Sequence, residues 1–353
     1  MRRFYFLLTV LVLFAVGCRS TKILETESIS AFSPPTNTII YIIHGDANYL
    51  YHNANGYPLQ ADEQVLKESK KVAENATNSE VFIFHQRPEQ KFIWLFPKKD
   101  RRFLYYKNGN LISDKRYSPH SDEQSFVTEA QLYNRYHKVP EDTAGHRKVL
   151  LYFGHEIPES TRNPYHASRP KVPFDTPLFA QGIQLFLQQG ETPFDLTVLS
   201  TCDNGTPAMI KALNPYTNYV LASPQNLHLS HINTGRLSSL LEQADTTEKQ
   251  LADSLAAQTY SRLSSFLQTV ITLSVYDTNI TNSYLPSLNR SYQAYLSDEA
   301  DAEPSLDNTD CATLPFFDTA EYKKGVDVWY KPPRFGQKKN AATYSGWGCR
   351  KRE

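Results

Sequence analysis

Two apolar stretches, VLLYFGH (149–155) and DLTVLSTC (195–202), each carry a reactive side chain at the carboxyl end, His155 and Cys202. Runs of Val, Leu and Tyr with almost no polar break are typical of buried parallel strands. In open parallel α/β sheets, chemistry gathers in the crevice outside the carboxyl ends of the strands. We therefore expect these stretches to be neighbouring strands that bring a thiol and an imidazole to one edge. A cysteine hydrolase needs this pair.

Each of these two residues has a simpler interpretation when it is taken alone. A cysteine at a strand end is most often a buried small apolar residue, and a histidine there is most often a hydrogen-bonded structural residue. The residues lie far apart in sequence, so only the fold can bring them together.

The rest of the chain alternates between strand and helix signals. Predicted strands cover TIIYII (38–43), EVFIFH (80–85) and NYVLAS (218–223), and helix signals fall at 60–76, 122–137, 177–189 and 206–213. This alternation predicts an α/β fold with a mostly parallel sheet flanked by helices. Short segments within about 91–117, with an Asn108-Gly109 turn, predict a small antiparallel β insertion. The acidic stretch 298–311 is predicted to be a solvated loop.

The N-terminal residues have the pattern of a targeting segment. The apolar stretch FYFLLTVLVLFAV (4–16) follows two arginines and is short for a membrane span, which requires ~20 residues. Gly17-Cys18 after such a stretch resembles the bacterial lipoprotein cleavage box. The resemblance implies a signal peptide over 1–17, lipidation of Cys18 and a tether over 18–37. Arg19 is not the Asp associated with inner-membrane retention, so we expect an anchor in the outer membrane of a bacterial cell envelope. An ordinary secretory signal is the alternative.

Composition excludes several classes of partner. The 353 residues carry a net charge of zero, which gives no electrostatic reason to expect nucleic acid. No Gly-rich phosphate loop is present, and no His or Cys spacing compels a metal site.

The chain has four cysteines. With Cys18 lipidated and Cys202 reserved for chemistry, Cys311 and Cys349 remain as a candidate disulfide of an exported protein, and two free thiols are the alternative.

The order of five motifs resembles that of clostripain-family cysteine peptidases, which belong to the caspase-like superfamily. That family has an early strand with an Asp-Asn turn, strands that end in the catalytic His and Cys, a strand that ends in Ala-Ser, and a late T-L-S-x-x-D segment. The corresponding segments here are YIIHGDAN (41–48), LLYFGH (150–155), FDLTVLSTC (194–202), NYVLAS (218–223) and ITLSVYD (271–277). The resemblance implies a caspase-like α/β domain over 38–298, followed by a C-terminal extension over 299–353.

The same resemblance implies a cysteine endopeptidase that acts on a peptide or protein substrate. It assigns Cys202 as the nucleophile and His155 as the base, with the backbone N–H groups of Glu156 and Cys202 binding the oxyanion. The residues that it places at the substrate-binding pocket are Ser200, Ser223, Pro224, Gln225 and Asp46. The Asp46 position also suits a simple turn-forming residue. No cofactor is expected, apart from the calcium that some relatives bind.

Three departures from the family pattern involve four positions. The family has Gly after the catalytic His, where this chain has Glu156, and it has Asp two residues before the Cys, where this chain has Ser200. Acidic residues that usually follow Ala-Ser are replaced by Pro224 and Gln225. Cleavage after Arg or Lys is therefore not supported. The alternative function is a catalytically inactive clostripain-like protein that serves as a surface binding or scaffold protein.

Overall fold

The structure is a computed structural model, and it describes residues 34–46, 49–52, 56–87, 91–92, 96–97, 101–118, 126–138, 145–159, 174–189, 191–227, 230–243, 245–297, 304–335 and 341–352. The predicted signal peptide, Cys18 and most of the predicted tether lie outside these residues. No helix in the described part of the chain is both long enough and apolar enough to cross a bilayer.

A nine-stranded sheet forms the centre of the protein. Its five central strands are parallel, and the pairs at both ends are antiparallel. The prediction of a mostly parallel α/β sheet is confirmed. The strands are β1 (Asn37–His44), β4 (Ser79–Gln86), β7 (Arg101–Lys107), β8 (Asn110–Tyr117), β9 (Arg147–Phe153), β10 (Phe194–Ser200), β11 (Thr217–Ala222), β12 (Ile271–Asp277) and β14 (Val326–Lys331). Their order across the sheet is β14-β12-β11-β10-β9-β1-β4-β7-β8.

The predicted antiparallel insertion is a hairpin that lengthens the main sheet. Strands β7 and β8 are joined at Asn108-Gly109, where both residues have positive φ, 48° and 80°, as a tight hairpin turn requires. β7 pairs with β4, so the hairpin continues the sheet. Three short ladders lie outside the sheet in the described part of the chain: β2 (Leu50–His52) with β3 (Pro58–Gln60), β5 (Lys91–Phe92) with β6 (Phe96–Pro97), and β13 (Pro304–Asp310) with β15 (Gly348–Arg352).

Helices pack on both faces of the sheet because its strands are apolar on both faces. Along β1, Ile40 and Ile42 enter one core cluster while Ile39 and Ile43 enter the other. Each fully buried Ile side chain contributes roughly 2–3 kcal/mol through loss of hydrated apolar area. The helices are α1 (Ala61–Asn75), α2 (Val127–Tyr136), α3 (Thr176–Gln184), α4 (Pro207–Leu213), α5 (Leu237–Leu241), α6 (Glu248–Phe266), α7 (Thr278–Thr281), α8 (Leu285–Ser297) and α9 (Thr319–Tyr322), with 3₁₀ turns at Asn214–Tyr216, Cys311–Thr313 and Ala341–Thr343.

The starts of the helices beside the site are encoded locally. Asp175 caps α3 by accepting from the Leu178 N–H at 2.9 Å, and Pro177 occupies the first turn. Thr206 caps α4 in the same way through the Met209 N–H. These caps fix where the loops that follow β9 and β10 turn into helices.

The prediction of a solvated loop over 298–311 is wrong for its second half. Pro304–Asp310 is a strand, β13, which pairs antiparallel with β15 (Gly348–Arg352). Asp310 is buried, and its Oδ1 accepts hydrogen bonds from Ser345 and from the Ala312 N–H. Its carboxyl group is therefore hydrogen-bonded inside the protein, which a count of acidic residues does not reveal. A disulfide joins Cys311 to Cys349, next to this strand pair.

Candidate active site

His155 and Cys202 leave neighbouring parallel strands at equivalent positions. In the β9–β10 ladder, Phe153 is paired with Ser200, and each of the two reactive residues lies two positions beyond its strand's paired residue. Both strands are parallel, so both loops emerge at the carboxyl edge of the sheet. The fold thus brings together the two segments that were remote in sequence.

The imidazole of His155 is held by residues that follow β1, the strand on the other side of β9. Its Nε2 lies 3.2 Å from Asp46 Oδ2. Asp46 is only 3% exposed, whereas His155 is 39% exposed. The Tyr49 ring stacks on the imidazole with 5.1 Å between centroids, and also on the Phe153 ring at 5.5 Å. A buried carboxylate and an aromatic face together orient the imidazole.

Cys202 is half-buried and lies in a sharp turn after β10. Its Sγ donates to Asn226 Oδ1 at 3.2 Å and accepts from the Leu227 N–H at 3.4 Å. The next residue, Asp203, has a φ of 54°, a left-handed conformation that non-glycine residues rarely adopt. The turn therefore holds a thiol beside a backbone N–H group, a donor suited to a thiolate.

Asn204 joins the two loops, and sequence reasoning missed it. Its Oδ1 accepts from the Ile157 N–H at 2.9 Å, and its Nδ2 donates to the Ile157 carbonyl at 2.9 Å. Asn204 is buried, and Thr201 Oγ1 also donates to its Oδ1 at 2.7 Å. The loop after Cys202 is thus bonded to the loop after His155. The signal in the sequence is a lone Asn two residues after the Cys, which by itself indicates only a turn.

Two of the residues predicted to bind the substrate side chain are buried and hydrogen-bonded to the protein backbone. Ser200 is buried, and its Oγ accepts from the Ile232 N–H at 2.8 Å. Ser223 is also buried, and its Oγ donates to the carbonyls of Thr272 and Gln225. These bonds hold the loop after β11 beside Cys202.

Two further predicted positions contact the C-terminal strand pair, which is formed by β13 and β15. The Pro224 carbonyl accepts from Asn308 Nδ2 at 3.2 Å, and Gln225 Nε2 donates to the Asn308 carbonyl at 3.3 Å. The structure places Asp46 against the imidazole. Contact between any of these residues and a substrate stays a prediction, as does binding of an oxyanion by the backbone N–H of Glu156.

Several carboxyl groups lie behind the turn that follows Cys202. Burial, and then the charge of Glu156, raise the pKa of Asp203 to about 7. Burial also raises the pKa of Glu156, although Arg350 contacts its carboxylate. The carboxyl groups here therefore ionise less readily than exposed ones.

The described residues contain one group of three ligand-type side chains close enough to share a metal ion, formed by Asp62, Glu63 and His85. His85 Nε2 contacts Asp62 Oδ2 at 2.7 Å, and Arg87 pairs with Glu63 at 2.9 Å. Calcium prefers oxygen ligands, so a set that includes an imidazole does not fit the calcium that the family resemblance allows. The contacts account for the group as a buried His–Asp pair and a surface ion pair.

Comparison with solved structures identifies this arrangement of strands. A secreted C11 cysteine protease from Bacteroides thetaiotaomicron, solved with an irreversible peptide inhibitor, matches with a TM-score of 0.57 at 11% identity, over 90% of this chain and 90% of that one. The fold is that of the clostripain-family, or C11, cysteine proteases.

Two further C11 structures agree with this assignment of the fold. An inactive C11 zymogen from Parabacteroides distasonis matches with a TM-score of 0.51 at 12% identity, over 77% of this chain and 69% of that one. Another structure of a secreted C11 protease from B. thetaiotaomicron matches with a TM-score of 0.50 at 13% identity, over 83% and 76%. No family model and no curated protein matches the sequence.

Proposed function

We propose that this protein is a cysteine endopeptidase that hydrolyses peptide bonds with Cys202 and His155. The observation that carries the proposal is the equivalent placement of these residues after two adjacent parallel strands, with Asp46 bonded to the imidazole. The C11 fold supports it, and one C11 relative was solved with a peptide inhibitor.

The proposed mechanism is that of a cysteine hydrolase with a Cys–His pair. His155 accepts the thiol proton, and the thiolate attacks the carbonyl carbon of the scissile bond to form a tetrahedral oxyanion. Backbone N–H groups of Cys202 and Glu156 are the proposed oxyanion donors. As the C–N bond breaks, the imidazolium gives its proton to the leaving amine. Water, deprotonated by His155, then hydrolyses the thioester and releases the acid.

Asp46 has a defined part in this mechanism. Its carboxylate engages Nε2, so Nδ1 is the ring nitrogen that exchanges the proton with the thiol. The buried carboxylate stabilises the imidazolium that forms when the thiolate is present. Asp46 is therefore proposed to orient the base rather than to bind substrate.

The proposed location is the bacterial cell envelope. The N-terminal pattern supports a signal peptide over 1–17, a lipid anchor on Cys18 in the outer membrane, and a tether over 18–37. Two C11 structures with this fold are described as secreted proteases. The anchored catalytic domain over 38–298 and the extension over 299–353 complete the proposed organisation.

A second candidate function is a binding or scaffold protein that has lost catalysis. The observation that favours it is Glu156 in the position after the proposed base, where the family has a glycine, with its side chain tied to Arg350. A Cβ at this position restricts how closely a substrate oxyanion approaches the backbone.

Digestion of a peptide library by the soluble ectodomain tests these alternatives. The wild-type protein and Cys202→Ala are compared, with iodoacetamide labelling of Cys202 measured in the wild type. The peptidase predicts cleavage that is lost in Cys202→Ala and rapid alkylation at neutral pH. Absence of turnover, with ordinary thiol reactivity at Cys202, would reject the peptidase and leave the binding protein.

A further inference from the structure

The C-terminal strand pair contacts both loops of the proposed active site. Arg350, on β15, donates through Nη2 to the carboxylate of Glu156, the residue after His155. Asn308, on β13, donates to the Asp203 carbonyl at 2.9 Å. The Gly348 N–H donates to the Gly205 carbonyl at 2.8 Å. One small antiparallel ladder thus reaches the segments that follow both reactive residues.

The Arg350 side chain is fixed in place by its own strand and by α8. Its backbone N–H donates to Tyr292 Oη at 3.0 Å, and Nη1 donates to the Ser305 carbonyl at 3.4 Å. The neighbouring Cys349 is linked to Cys311 on the other side of the ladder. Little conformational entropy therefore remains to be lost when the guanidinium meets Glu156.

The guanidinium lies among carboxyl groups from several elements. Glu156 and Glu159 come from the loop after β9, Asp203 from the turn after β10 and Asp307 from β13, and Tyr292 approaches from α8. Without a cation here, an ionised Glu156 would be an uncompensated negative charge on the residue next to His155. Negative charge in that position opposes formation of a thiolate.

We propose that Arg350 is a positioning residue of this active site, which neutralises Glu156 behind His155 and so favours ionisation of the Cys202 thiol. The proposal rests on the proposed peptidase function. Arg350 contacts neither substrate nor the reacting atoms. It acts through Glu156, and the disulfide-linked ladder holds it there.

The test is the rate of Cys202 alkylation by iodoacetamide, measured against pH on the ectodomain. For Arg350→Gln we expect a roughly three- to tenfold slower reaction at neutral pH, the size of one lost charge acting through a protein of intermediate dielectric constant. The profile moves to higher pH, and Arg350→Lys recovers part of the loss. Lys351→Gln is the matched control, because it removes one positive charge from the next, exposed position of the same strand. Its profile should coincide with that of the wild type.

A double variant separates the role of charge from that of mechanical support. If Arg350 acts by neutralising Glu156, then Glu156→Gln combined with Arg350→Gln returns the rate toward that of the wild type. If the double variant is alkylated as slowly as Arg350→Gln, the proposal is overturned. The double variant also provides the test if Arg350→Gln alone does not fold. An unshifted pH profile for a folded Arg350→Gln variant would also overturn the proposal. In that case, rapid alkylation of Cys202 in the wild type would still support the peptidase function. Ordinary reactivity of Cys202 in the wild type would reject the peptidase function itself.

Discussion

Asp203 should make the stability of this protein depend on pH in a direction opposite to that of most surface carboxylates. The side chain is only 4% exposed, and its Oδ1 has no hydrogen-bond partner in the described part of the chain. Burial, together with the nearby charge of Glu156, raises its pKa from 3.8 to about 7. An ionised Asp203 is therefore a cost to the folded state, and Asp203→Asn removes it.

The sign and size of the effect follow from proton linkage. Below pH 3.8 both the folded and the unfolded states hold the proton, so Asp203 contributes no pH dependence. Between that value and about pH 7 the unfolded chain has lost the proton and the folded protein has kept it, so stability falls as the pH rises. Each tenfold change in proton affinity is worth about 1.4 kcal/mol, which sets an upper limit of about 4 kcal/mol above pH 7.

Urea unfolding followed by tryptophan fluorescence measures this effect. The free energy of unfolding of Asp203→Asn should exceed that of the wild type by an amount that grows between about pH 4 and about pH 8. Asp245→Asn makes the same chemical change at an exposed carboxyl group between α5 and α6 and should track the wild type. A difference between Asp203→Asn and the wild type that stays constant across this range would refute the reasoning.

Three further predictions concern other residues of the site and its supports. Asp46→Asn should lower the rate of peptide hydrolysis about ten- to a hundredfold with little change in the unfolding midpoint, because the imidazole loses the carboxylate that orients it; steady-state kinetics and thermal unfolding check this. Replacing both Cys311 and Cys349 by Ala should lower the free energy of unfolding by about 4 kcal/mol, since they close a loop with a sequence separation of 38; an unchanged urea midpoint would count against it. Gly205→Ala should cost about 1–3 kcal/mol in the same assay, because its Cβ would lie 2.5 Å from Tyr276 Oη and 2.8 Å from the Pro224 nitrogen, where the backbone has no room to yield.

The central strands were predictable because a strand that is buried on both faces has apolar residues at successive positions. VLLYFGH and DLTVLSTC are apolar at almost every position, and a strand in the middle of a parallel sheet is the structure that buries all of them. Strands that follow each other in a parallel sheet usually lie side by side, and β9 and β10 do so. The prediction that His155 and Cys202 follow those strands at one edge rested on this pattern and on the resemblance to the clostripain family.

The supports of the site were not predictable, because they depend on contacts between distant segments. Asp46 could equally be a turn residue, and only the β1–β9 ladder brings it to His155. Asn204 and Arg350 carry no pattern of their own. The strand at 304–310 was missed because its acidic residues suggest exposure, whereas the polar side chains of Asn308 and Asp310 are buried and hydrogen-bonded.

The paired hydrogen bonds of Asn204 have a consequence for the motions of the protein. The side-chain amide of Asn204 bonds both the N–H and the carbonyl of Ile157, so the loops after β9 and β10 are joined at one residue. Fluctuations that expose one loop to solvent must release the other, and their backbone amides should exchange hydrogen for deuterium as one cooperative unit. The loops after β9 and β10 would therefore open together rather than independently.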